Sequence, residues 1–263
     1  MRIMTRIFEQ KVVLVTGGSR GIGRAISLRL ADTGAKVVIN YLSDHESAEA
    51  TVKDIESKGG QAIAIQAHLG DESSRADLWS EFDKRHKQLD YLVFNAATGV
   101  FREATKLTLK SLRKVFAVNF DALVDLANQS VQRMPDANPS SLAGSKGRIV
   151  AISSVGAEKV IANYGAVGSS KAAMEAMIRQ LAFELGPKGI NCNVVRAGLV
   201  DTGVLNYIQG KEKIIHDTVV HTPNGRLVVP EDVAAMVSFI LSNDAAMVNG
   251  QTLMVDGGFG LKA

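Results

Sequence analysis

Short apolar runs rich in β-branched residues alternate along the chain with longer stretches whose apolar residues recur at helical spacing. The runs are VVLVTGG, AKVVINY, QAIAIQA, LDYLVFNAA, GRIVAISS and GINCNVVRAG. Between them lie RAISLRLADTG, HESAEATVKDIESKGG, a stretch near 72–87, a longer one near 108–134, one from about 164 to 185, and PEDVAAMVSFILS. Runs that stay apolar belong to strands covered on both faces, and helices of three or four turns supply the cover. The pattern predicts an α/β fold, a Rossmann-type doubly wound parallel sheet with helices on both faces.

Two stretches break this rhythm. Residues 135–147, PDANPSSLAGSKG, carry the Pro, Ser and Gly of a surface loop. Residues 199–226 mix apolar and charged side chains and follow the carboxyl end of a strand, where open α/β sheets bind ligands. They are expected to form a substrate lid. No polar linker divides the chain, so its 263 residues are expected to form a single domain.

Composition narrows the function classes. The chain is 46% hydrophobic and only 5% aromatic, with 24 glycines, which suits close strand-to-helix packing. A formal charge of +3, with Lys and Arg spread along the chain, gives no reason to expect a nucleic-acid partner. The single Cys192 excludes an internal disulfide, and its apolar setting predicts a buried, inert thiol in a reducing compartment. The opening MRIMTRIFEQK is too short and too charged for a secretory signal, and no stretch is apolar enough to span a bilayer. A soluble cytoplasmic protein is expected. The five histidines lack ligand spacing and no GxSxG is present, so neither a metal site nor a serine-hydrolase elbow is indicated.

The first chemistry lies in TGGSRGIG, residues 16–23, where a strand hands over to a helix. Gly17, Gly21 and Gly23 permit the turn, backbone approach to a pyrophosphate and tight helix packing, while the helix N-terminus favours the anion. Ser19, Arg20 and Ile22 complete this dinucleotide loop. After the second strand, where an NAD enzyme carries an acid for the ribose hydroxyls, stand Asn40 and Tyr41. No carboxylate at that place repels a 2′-phosphate, and Arg20 can pair with one, so NADPH is the expected cofactor.

The loop TGGSRGIG, NAA at 95–97, ISS at 152–154, a Tyr and Lys pair, and VDGG at 255–258 together resemble the short-chain dehydrogenase/reductase family. The likeness runs from Lys11 to Gly258. It implies that Asn95, Ala96 and Ala97 line the adenosine side, that Asn119 steadies the helix behind a catalytic lysine, and that Lys171 grips the nicotinamide ribose. It also implies a nicotinamide wall at Gly198, Leu199 and Thr202, although Ala197-Gly198 replaces the usual Pro-Gly. At the third strand's end His68 and Leu69 replace the customary Asp and Val, at the place of the adenine contacts. The family analogy further suggests a homotetramer.

The tyrosine is displaced. Most members carry it four residues before the lysine, and here that place is Val167, which has no proton to give. Ser154 and Lys171 keep the usual separation of seventeen, and the nearest polar aromatic is Tyr164, seven residues before Lys171. That spacing resembles the enoyl-acyl-carrier-protein reductases, and the glycine loop, NAATGV and TPNGR at 222–226 look most like the type III, NADPH-using branch.

Physical chemistry fits the displacement. In carbonyl reduction the proton goes to the oxygen on the carbon that takes the hydride, so the phenol stands beside that carbon. In an enoyl thioester the hydride goes to the β-carbon, while charge gathers on the thioester oxygen two carbons away. Three extra helical residues displace the donor by about 5 Å.

The expectation is an NADPH-dependent enoyl thioester reductase of fatty acid biosynthesis. Tyr164 serves as oxyanion stabiliser, Lys171 positions the ribose, and Ser154 is either a secondary donor or a strand-end serine. Lid residues Val204, Leu205, Tyr207 and Ile208 would cover the acyl chain. Lys211, Lys213 and the Arg102 to Lys114 segment read first as a solvated charged face, and alternatively as the dock for an acidic acyl carrier protein. The rival readings are a 3-oxoacyl, ketone or hydroxysteroid reductase and a catalytically idle NADP sensor.

Overall fold

The computed structural model describes residues 6–135, 146–203 and 210–261. Most of the expected loop at 135–147 and the expected lid residues Val204, Leu205, Tyr207 and Ile208 lie outside them. Strands β1 (Val12–Thr16), β2 (Lys36–Tyr41), β3 (Gln61–Gln66), β4 (Tyr91–Phe94), β5 (Gly147–Ser154), β6 (Ile190–Ala197) and β7 (Thr252–Val255) form one parallel sheet. Their order is β3-β2-β1-β4-β5-β6-β7. The chain moves outward from β1 to β3 and then returns to β4, so β1 and β4 flank the switch point, where doubly wound sheets open a crevice.

The cover is supplied by α1 (Gly21–Asp32), α2 (His45–Ser57), α3 (Glu72–Arg85), α4 (Leu109–Phe116), α5 (Ala122–Arg133), α6 (Gly165–Leu185), α7 (Lys211–His221) and α8 (Pro230–Leu241). On one face Leu14, Leu92, Phe94 and Ile149 pack with Leu123 of α5 and with Met174 and Ile178 of α6. On the other, Val13, Val15, Val93 and Val150 pack with Ile26 and Leu30 of α1 and with Val233 and Val237 of α8. Each fully buried aliphatic side chain of this kind is worth roughly 1.5–3 kcal/mol. The unbroken apolar runs therefore mark strands with a core on each side.

One expected element differs. The single helix foreseen near 108–134 is two helices joined by a widened turn, a π-helical segment at Ala117–Asp121. Asn119 lies inside that turn and is fully buried. A buried amide must find partners, and the extra residue in the turn re-aims it toward them.

Candidate active site

At the carboxyl end of β1 the chain turns on Gly17, whose φ is +59°. A methyl group at position 23 would collide with the Gly17 carbonyl and come within 2.6 Å of the Asn95 amide. Asn95 braces this turn by donating to the carbonyls of Thr16 and Gly17 at 3.0 and 3.1 Å. The Thr16 hydroxyl accepts from the backbone N–H groups of Asn95 and Ala96. Helix α1 starts immediately beyond, with no acidic residue in its first turn and no side-chain cap. Its first N–H groups and positive dipole end face outward, an arrangement that fits a pyrophosphate. Ser19 is buried and its carbonyl accepts from Thr51 at 3.0 Å. Ile22 packs into the core, and Arg20 is exposed at the mouth.

Several of the residues expected on the cofactor side also make hydrogen bonds within the chain. Asn40 is buried and contributes scaffold: its Oδ1 accepts from Gly17 N at 3.4 Å and its Nδ2 donates to Ala67 O at 3.1 Å. The Tyr41 hydroxyl lies 2.8 Å from His45 Nδ1. Leu69 points its side chain into the core, and the His68 ring folds onto its own loop, accepting from Gly70 N at 3.0 Å. Asp44, which caps α2 by accepting from Ser47 N, lies in the field of Arg20. Those hydrogen bonds, and more weakly Arg20, hold its carboxyl below the usual range. Sequence reasoning, looking only at 40 and 41, missed this acid.

Behind the crevice Asn119 is fully satisfied. Its Oδ1 accepts from Thr98 N at 2.8 Å, and its Nδ2 donates to Thr98 O at 3.0 Å and Ser170 Oγ at 2.9 Å. It thus ties the loop after β4 to the residue just before Lys171. Lys171 is buried, and its ammonium donates to Ile152 O at 2.7 Å. Burial pushes its pKa down to about 8, against the pull of Glu175 one turn later.

Tyr164 caps the entrance of α6, its carbonyl accepting from Gly168 N at 2.8 Å. Its ring lies 6.0 Å from that of Phe101, and a methyl at Gly156 would meet its ring carbons at 2.5 Å. Ser154, at the end of β5, lies close enough to the phenol to act on it and accepts from Gly156 N at 3.3 Å. Burial raises the phenol's pKa, and the Ser154 hydroxyl offsets part of that rise. The tyrosine therefore holds its proton, and the two hydroxyls foreseen from sequence meet. Val167 is buried beside Gly99.

Along the far wall Gly198 N donates to Val255 O at 2.9 Å, Leu199 is half-buried, and the Thr202 methyl faces Gly21. Asn224 of the TPNGR turn donates its N–H to Gly257 O of the VDGG motif at 3.2 Å, so the two motifs pack together. Ala97 is exposed. Lys211 pairs with Asp201 at 2.9 Å, whereas Lys213 is exposed.

Two more features escaped the sequence reading. Phe101 flanks the phenol, and its only signal was an aromatic residue soon after a strand end. A buried network joins Ser153, Glu175 and Arg196, with Glu158 at its edge. A lone charged residue in β6 was its available signal.

Comparison with known proteins gives four consistent results. The family model described as Enoyl-(Acyl carrier protein) reductase matches residues 17–260. The 1-cyclohexenylcarbonyl-CoA reductase of Streptomyces collinus is 35% identical over 257 residues, covering 97% of this chain and 89% of that protein. Versicolorin reductase 1 of Aspergillus parasiticus is 34% identical over 261 residues, covering 95% and 96%. Among solved structures, a short chain dehydrogenase from Burkholderia cenocepacia in complex with NADP superposes with a TM-score of 0.84 at 33% identity, covering 97% of this chain and 99% of that one.

Proposed function

The chain belongs to the short-chain dehydrogenase/reductase family and is an oxidoreductase, and on that premise we propose that it reduces the trans-2 double bond of an enoyl thioester with NADPH. The observation that carries this reading is the position of the proton donor. The phenol of Tyr164 is half-buried and held protonated, three residues ahead of a place that Val167 fills with an apolar side chain. A donor set back in this way suits an oxygen remote from the carbon being reduced. The Streptomyces relative, whose name denotes an unsaturated acyl thioester, supports the same acceptor class.

When bound, the reduced nicotinamide supplies the hydride. Arg20 is the residue to hold the 2′-phosphate, and the first turn of α1 the pyrophosphate. Ala96, Ala97, Gly198, Leu199 and Thr202 border the crevice that the nucleotide would fill. Tyr164 hydrogen-bonds the thioester oxygen as negative charge gathers there. Lys171 positions the ribose, and Asn119 fixes the helix entrance that bears it. Residues 199–203 and 210–226 serve as parts of a lid that keeps water from the reacting atoms.

NADPH oxidation with crotonyl-CoA against acetoacetyl-CoA tests the proposal, using wild type and Tyr164→Phe. Turnover of crotonyl-CoA that depends on Tyr164 is expected, and turnover of the keto compound alone overturns it. That second outcome corresponds to carbonyl reduction, favoured by the contact between Ser154 and Tyr164, since two converging hydroxyls also suit a ketone oxygen. We extend the reading to fatty acid biosynthesis in the cytoplasm by a homotetramer acting on carrier-bound chains. Lys213 is better suited than the paired Lys211 to meet an acidic carrier. No helix among the described residues is long and apolar enough to cross a membrane.

A further inference from the structure

Arg196 stands in β6 directly across from Ser153 of β5. Its Nε and Nη2 donate to the two oxygens of Glu175 at 3.0 and 2.5 Å, a fork-to-carboxylate pairing, while Ser153 Oγ donates to Glu175 Oε1 at 2.5 Å. Its remaining nitrogen, Nη1, donates to Glu158. Arg196, Glu175 and Ser153 are each less than a tenth exposed, whereas the Glu158 side chain is 59% exposed.

Burying an ion pair costs several kcal/mol of desolvation per ion, and an apolar pair of similar size usually stabilises a fold as well or better. Stability is therefore a poor reason for this cluster. Its connections suggest another. Glu175 sits one turn after Lys171 on α6, and Glu158 opens the segment that runs to Tyr164. That segment has few other ties: Glu158 N and Lys159 N donate to Val155 O, and Asn163 O accepts from Arg102 N at 3.0 Å. Lys159 and Val160 are exposed.

We infer that Arg196 is a positioning residue: by gripping Glu158 and Glu175 with one guanidinium, it latches the segment bearing Tyr164 to the helix bearing Lys171. The planar fork matters, because a lysine ammonium cannot hold one carboxylate in bidentate fashion and reach a second in the same plane. The latch serves hydride transfer to an enoyl or a carbonyl acceptor alike, so it does not depend on which substrate is correct.

Glu158 is the cleaner point of attack, since its own carboxylate is largely solvated and its removal leaves the bidentate pair of Arg196 with Glu175 in place. Glu158→Ala is expected to lower kcat about tenfold through a displaced donor, with the Kd for NADPH and the melting temperature unchanged. Glu158→Gln, which still accepts from Arg196, is expected to recover most of that loss, and Arg196→Lys to lower kcat at least as far as Glu158→Ala, with a lower melting temperature because Glu175 loses its fork. Rates are read with crotonyl-CoA and acetoacetyl-CoA, whichever the wild type turns over. A substrate-free measurement runs beside them: the rate of tryptic cleavage after Lys159, expected to rise in Glu158→Ala and Arg196→Lys but not in Glu158→Gln. Unchanged cleavage in Glu158→Ala would overturn the latch, whether or not either thioester is a substrate. So would a fall in kcat in Glu158→Ala matched by loss of NADPH binding and of melting temperature, which marks a general structural role.

Discussion

Between Thr16 and Gly23 the chain offers its backbone to the crevice, and between Ser154 and Lys171 it offers side chains. The first region depends on glycine where a methyl would strike a carbonyl, and on N–H groups left open at the start of α1. Its few side chains, Thr16 and Asn95, are spent on bracing that backbone. The second region carries a phenol held protonated by burial and an amine pushed down to about 8 in a site that disfavours its charge. Backbone recognition is indifferent to what the protein reduces. Side-chain placement is where the choice of acceptor resides, and it is paid for in stability.

Four substitutions sharpen this contrast. The largest effect is expected for Tyr164→Phe: a fall in kcat of about 100- to 1000-fold, with NADPH affinity unchanged in a fluorescence titration. A parallel loss of cofactor binding would merge the two regions into one function. Gly23→Ala is the mirror image, because its methyl must displace the Gly17 carbonyl or the Asn95 amide. NADPH binding is expected to weaken at least about 100-fold, with a melting temperature lowered by a loss of about 2–4 kcal/mol.

Lys171→Met separates stability from activity. The native pKa of about 8 lies below the 10.5 of a free lysine, so between these values the unfolded chain binds more protons and stability rises with pH. Below about 8 both states are protonated, and the native chain bears the full penalty, on the order of 3 kcal/mol. Lys171→Met is expected to abolish turnover, flatten the rise in melting temperature above pH 8, and stabilise the fold near pH 7 by about 1–2 kcal/mol after the lost bond to Ile152 is counted. A variant less stable at pH 7 would contradict this. The smallest effect is expected for Arg20→Ala, which weakens NADPH binding about tenfold and leaves NADH binding nearly unchanged; an equal loss for both would remove Arg20 from 2′-phosphate recognition.

The two regions also differ in how far they can be read from sequence. Strand runs and the glycine loop depend on neighbours close in the chain, so their periodicity and composition carry them. The meeting of Ser154 with Tyr164 was foreseeable only as a spacing, because which hydroxyls touch depends on how β5 exits and α6 enters. The widened turn at Ala117–Asp121 was invisible: its cause is the partners of Asn119, which lie at Thr98 and Ser170. The bracing bond of Asn40 was invisible for the same reason, since its Ala67 partner lies just beyond β3. Side chains with distant partners are those that local pattern cannot assign.

The meeting of Gly156 and Gly168 has a practical corollary for anyone redesigning this protein. A methyl at 156 would press on the ring of Tyr164, and one at 168 would press on the Gly156 carbonyl. The phenol is thus anchored by main chain on that side and by the replaceable ring of Phe101 on the other. Libraries aimed at new acceptors should vary residue 101 and leave both glycines alone, since a side chain at either glycine would shift the phenol or the backbone beside it.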